Sequence, residues 1–154
     1  MNVRQLIEDQ DDTDKAEVFA TRPYFRIELP SEVSGYVKII NSDLAKPEMI
    51  KEGKNIEVLV PFNGVVIIGL LAKIGGVFSV QTNATVEAPA LVEVGGDLYV
   101  SQNGMLEAPA LVEVDGGLYV YQKGKLEAPA LVEVGGNLYV DQGGMLEAPN
   151  LRRQ

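Results

Sequence analysis

Residues 87–106 read EAPALVEVGGDLYVSQNGML, residues 107–126 read EAPALVEVDGGLYVYQKGKL, and residues 127–146 read EAPALVEVGGNLYVDQGGML. A further copy begins at Glu147. A fixed 20-residue period is the signature of a solenoid, whose repeats bury their apolar faces only by stacking. Each copy holds two short apolar runs, Leu91-Val92-Glu93-Val94 and Leu98-Tyr99-Val100, separated by Gly95-Gly96. Runs of Val, Leu and Tyr bounded by glycine read as strands, and neither run is long enough for a helical period. Ala88-Pro89 and Gln102-Asn103-Gly104 supply the other corners. The unit expected is one coil with two short strands, stacked on its neighbours at about 4.8 Å. Alternation along a strand puts Leu91, Val94, Leu98, Val100 and Leu106 inside, and Glu93, Tyr99 and Ser101 outside. Gln102, Gln122 and Gln142 recur at one corner and suit an amide ladder.

Working towards the N-terminus, the register is strict back to Lys73. Before it, Glu32-Val33-Ser34-Gly35-Tyr36-Val37-Lys38-Ile39 echoes Glu93-Val94-Gly95-Gly96-Asp97-Leu98-Tyr99-Val100 in worn form. Residues 46–54 allow two readings: a helical turn bracketed by Pro47 and Gly53, or another repeat with Met49 and Ile56 inward. Ile56-Glu57-Val58-Leu59-Val60 reads as a strand and Asn63-Gly64 as a turn. Asp14 and Glu17 have capping-box spacing, so a short helix over residues 15–20 is expected to cover the first coil, as solenoid ends require. The fold class expected is an all-β, right-handed parallel β-solenoid of about six coils. Residues 1–29 form the cap segment, 30–72 irregular coils, and 73–154 the regular solenoid.

The phrase P-x-L-x-x-V-G-G-x-L-x-V, at Pro89 to Val100 and in its copies, resembles receptor L-domain and related leucine-rich-repeat-like solenoids. The resemblance spans the repeat region and implies a fold rather than a task. The chain departs from the disulfide-capped, secreted members in having no cysteine.

Composition narrows the function. The 154 residues carry a formal charge of −9, which disfavours nucleic acid and anionic membrane as partners and suits a basic protein surface. No histidine or cysteine is present, so there is no Ser-His-Asp triad, thiolate nucleophile or typical zinc site. Asp9-Gln10-Asp11-Asp12-Thr13 matches the D-x-D-x-T of aspartate-nucleophile phosphatases, but no strand and no doubly wound pattern surrounds it, so we read it as a chance match. As a calcium loop it fails at Asp14 and Ala20, where glycine and glutamate are wanted. Large β-helices include polysaccharide-cleaving enzymes that work with carboxylate pairs, yet they need long loops that the regular half lacks. The N-terminus has no apolar signal core, and the longest apolar run is too short to span a bilayer. A cytoplasmic protein without enzymatic activity, cofactor or metal is expected, its oligomeric state open.

The repeat builds rows of like residues. Glu87, Glu107, Glu127 and Glu147 form one acidic row. Glu93, Glu113 and Glu133 form another, with Lys73 before it and Arg153 after it, the pattern of a self-contained ion-pair row. Tyr99, Tyr119 and Tyr139 form an aromatic row, flanked by Ser101, Tyr121 and Asp141. The candidate partner-binding residues are therefore Tyr99, Tyr119, Tyr121, Tyr139, Asp141, Glu87, Glu107, Glu127 and Glu147. Both kinds of row also have a plain structural reading, as cross-strand stacking and as by-products of duplication. The copies differ at 95/115/135, 97/117/137, 101/121/141, 103/123/143 and 105/125/145, mostly at turns or on the tyrosine strand, as a repeat scaffold diversifying a binding face would. The function expected is a binding scaffold. A specific form, by analogy with small acidic phage proteins, is a phage-type inhibitor that blocks a host defence nuclease by mimicking nucleic acid. The alternatives are a structural or adhesive module that binds glycan or divalent cations and, more remotely, a polysaccharide-active enzyme.

Overall fold

A computed structural model describes residues 23–61 and 64–152. The helix expected over 15–20, the acidic run from Asp9, the turn residue Asn63 and the terminal cation Arg153 lie outside them. The strands are β1 (Tyr24–Arg26), β2 (Glu32–Val33), β3 (Val37–Ser42), β4 (Glu48–Glu52), β5 (Asn55–Pro61), β6 (Val65–Ile67), β7 (Lys73–Ile74), β8 (Phe78–Gln81), β9 (Thr85–Glu87), β10 (Glu93–Val94), β11 (Leu98–Val100), β12 (Met105–Glu107), β13 (Glu113–Val114), β14 (Leu118–Val120), β15 (Lys125–Glu127), β16 (Glu133–Val134), β17 (Leu138–Val140) and β18 (Met145–Glu147). They stack into three parallel sheets, a β-solenoid of about five turns. The first sheet runs β1-β6-β9-β12-β15-β18, the second β2-β7-β10-β13-β16, and the third β4-β5-β3-β8-β11-β14-β17.

Each coil thus has three strands where two were expected. The third is Met105–Glu107 and its equivalents, with a single inward residue, Leu106. One inward residue leaves no visible alternation. The strand exists because Met105, Leu106 and Glu107 pair with Thr85, Val86 and Glu87 below and with Lys125, Leu126 and Glu127 above. Leu91, Val94, Leu98, Val100 and Leu106 are all buried, as alternation requires, and Ala88 joins them.

Ser101 is a correction. It was placed outside, yet it is 4% exposed. The backbone bonds Ser101 N to Val80 O and Tyr121 N to Val100 O set this small side chain between the larger Gln81 and Tyr121.

Two corners force residue choice. At the corner after β11, Gln102 and Asn103 both have left-handed φ, 53° and 65°. Asn tolerates that conformation, whereas glutamine is uncommon there. The corner holds because Gly104 N donates to Ser101 O at 2.8 Å and Asn103 N donates to Gln122 O at 3.0 Å in the next coil. A side chain on Gly104 would meet Val80 O at 2.7 Å, so glycine is needed there for space. In the coil before, Ala84 occupies this position, and its corner bond to Gln81 O lengthens to 3.3 Å. Where an amide ladder is expected, the bond found at its foot joins a hydroxyl to an amide: Thr82 Oγ1 donates to Gln102 Oε1 at 2.6 Å.

Residues 46–54 follow neither reading offered above. β4 pairs antiparallel with β5 around Gly53, whose φ is +63°. β5 in turn pairs parallel with β3. The hairpin is an insert in the first coil, laid along the outer edge of the third sheet. Met49 therefore faces out, 38% exposed, while Ile56 is buried. Asn41 Nδ2 donates to Val60 O and Pro61 O, and Tyr36 N donates to Asn55 Oδ1, tying the insert to the coil. β4 is charged at Glu48, Lys51 and Glu52, which protects an edge strand from further pairing. At the opposite end, Leu138 and Val140 occupy inward positions but remain 45% and 42% exposed, because no described coil lies over them.

Candidate functional site

The coil distributes the candidate residues over separate sheets. Glu87, Glu107, Glu127 and Glu147 end the strands of the first sheet. Tyr99, Tyr119 and Tyr139 are the outward residues of the third. The sequence groups both sets as partner-binding candidates; a three-sided coil puts them on different sheets. What adjoins the first acidic row, across the Ala-Pro corner, is the second row, Glu93, Glu113 and Glu133 on the second sheet.

The rows carry their own counter-charges. Lys73 Nζ lies 3.6 Å from Glu93, as its position in the row predicts. Lys125 Nζ lies 3.1 Å from Glu127 on the same strand. Arg26 and Ile67 precede Glu87 in the first row, so that row also begins at a cation, though not an adjacent one. Burial, then the charges of Glu127 and Glu87, raises the Glu107 carboxyl above its ordinary value, against the pull of Lys125. Glu113 is raised too, chiefly by its hydrogen bond to Asp115 and by that residue's charge. Carboxylate oxygens of Glu93, Glu113 and Asp115 lie within 4.8 Å of one another. The acids that converge are thus those of the second sheet, not of the Glu87 row.

That has a measurable consequence. Groups raised in the folded chain bind protons there before the unfolded chain does. Their protonation stabilises the fold below the ordinary carboxylate range, and this stability is lost as pH rises through the folded values. The melting temperature should increase as pH falls from about 7 towards the ordinary carboxylate value of 4.5, and Glu107→Gln should remove part of the increase. A melting temperature that falls over this interval would contradict the crowding.

The aromatic row is not a uniform ladder. Tyr99 and Tyr119 stack, with centroids 4.8 Å apart and planes 13° apart. Tyr139 leaves the stack and meets Tyr121 edge-on at 6.0 Å and 68°. Gly117 is one cause. A Cβ there would lie 2.6 Å from the Tyr119 hydroxyl and 2.7 Å from its ring, so the ring lies over the glycine, where the sister copies carry Asp97 and Asn137. Asp97 fixes this arrangement, taking hydrogen bonds from Gly117 N at 2.7 Å and Tyr99 OH at 3.3 Å. At the other side, Asp141 accepts from Tyr139 OH at 3.3 Å and Gln142 N at 2.7 Å. Burial, followed by Asp97 for Tyr99 and Asp141 for Tyr139, raises both phenols above their ordinary value, so both remain donors at neutral pH. Between the diverging rings opens a cleft of about 540 Å³, lined by Tyr99, Tyr119, Tyr121, Tyr139, Asn137 and Leu138. The sequence marks the tyrosines and Asp141; Asp97 and Gly117 were visible only as variable positions.

These features define a class: an all-β repeat scaffold with two acidic edges and one aromatic face. Among the described residues no helix is long and apolar enough to cross a membrane. Comparison of the chain with protein-family profiles, curated proteins and solved structures returns no match.

Proposed function

We propose that the chain is a non-catalytic scaffold that binds a protein partner with a basic surface. The observation that carries the reading is the pair of carboxylate rows on adjoining sheets. At about 4.8 Å per coil, two rows place one carboxylate per about 2.4 Å of axis. Duplex DNA carries one charge per about 1.7 Å, so the acidic edge approaches the charge density of a nucleic acid. A partner that ordinarily holds nucleic acid in a basic channel, such as a nuclease blocked by this chain, is the form the reading favours. The rows steer the partner and the tyrosine face, around the corner, docks it.

The test uses the immobilised chain in cell lysate at low and high salt, followed by kinetics on the protein recovered. Glu107→Lys with Glu127→Lys should slow association about tenfold at low salt and leave dissociation nearly unchanged, as charges at the rim of an interface do. Tyr119→Ala with Tyr121→Ala should chiefly speed dissociation. A partner that ignores the charge reversals would sink the nucleic-acid-mimic form.

A further inference from the structure

We propose that the cleft between Tyr119 and Tyr139 is an arginine site, in which a partner's guanidinium takes the third place in the tyrosine stack. This rests on the reading of a basic partner and names the side chain that it inserts.

Tyr99 and Tyr119 stack in consecutive coils. The next place in the column belongs to the row's next residue, Tyr139, which has turned towards Tyr121 and Asp141. One face of Tyr119 is therefore covered by Tyr99, and the other looks into the cleft. A planar group fits that face. The polar surroundings select its charge: Tyr99 and Tyr139, which line the cleft, donate their hydroxyls to the Asp97 and Asp141 carboxylates, so two acids stand one hydrogen bond behind the lining. A flat, weakly hydrated cation with donors around its rim meets both demands, and guanidinium is that group. A lysine ammonium is compact, strongly hydrated and cannot stack. A neutral sugar would gain the stacking but bring no positive charge towards the two carboxylates.

The 154-residue chain is titrated with N-acetyl-arginine amide, and separately with the lysine and citrulline counterparts and with glucose. Binding is read from the tyrosine ring signals by NMR. Saturable shifts of Tyr119 and Tyr139 are expected, with arginine at least about threefold tighter than lysine, as cation–π and stacking contacts provide. Citrulline and glucose should leave these signals in place. Gly117→Ala changes no charge and no tyrosine, but pushes the Tyr119 ring off its glycine. It should weaken the arginine response by about the same factor at an unchanged melting temperature. If that variant unfolds, Tyr139→Ala, in the last described coil, replaces it and should weaken the arginine response in the same way. Arginine no tighter than lysine, equal shifts with citrulline or glucose, or silent tyrosines would overturn the proposal. The Glu107→Lys, Glu127→Lys protein separates the two readings, because it should lose partner steering and keep its arginine response.

Discussion

Leu118→Asp should abolish the cooperative melting of the solenoid, whereas Leu138→Asp should leave it nearly intact. The two leucines are equivalent in sequence, one period apart, and they pair directly with each other. Leu118 is fully buried, between Leu98 and Leu138 in the column. An aspartate there has no cationic partner and no water, a cost on the order of 4 kcal/mol. That is a large fraction of the stability of a small domain. Leu138 has a covered side facing Leu118 and an open side, and is 45% exposed. A carboxylate there can turn to water, so the cost should stay within about 1 kcal/mol. Urea melts of the two variants measure the contrast. Equal loss in both would mean that another coil or a partner covers Leu138 in solution.

The second large effect comes from backbone spacing. Gly124 lies so close to the coil below that a side chain there would collide with the Val100 carbonyl. The clash is with main chain, which cannot rotate away. Gly124→Val should cost on the order of 3 kcal/mol and break the corner bond from Gly124 N to Tyr121 O. Gly69 is the control, since a Cβ there meets nothing within 4 Å. Gly69→Ala should be neutral within about 0.5 kcal/mol. Gly53 separates conformation from space: nothing crowds it, but its φ is +63°, so Gly53→Ala should cost about 1 kcal/mol through backbone strain alone.

The parallel coil was legible because the period repeats both the apolar set and the glycine corners. The worn copy at Glu32 and Val37 was legible for the same reason, and it pairs with Lys73 and Phe78 as the echo demands. The hairpin at β4 and β5 was not legible. Both Pro47 and Gly53 are turn residues in every competing reading, and only pairing with Leu59, Val58 and Glu57 decides among them. The separation of the Glu and Tyr rows was hidden by the three-residue strand, whose single inward leucine gives no alternation to count. The break in the tyrosine stack was hidden for a different reason. It depends on the absence of one Cβ at Gly117 and on where two aspartates find donors, which spacing alone does not encode.

Under the proposed function, half-exposed carboxylate rows govern encounter with a basic partner. The slope of log affinity against log salt for the recovered partner tests it most directly. Wild type should show a steep negative slope, as neutralised phosphate rows do. Glu107→Lys with Glu127→Lys should flatten it, and Tyr119→Ala with Tyr121→Ala should lower the affinity at every salt concentration while keeping the slope. A flat slope for wild type would contradict the claim.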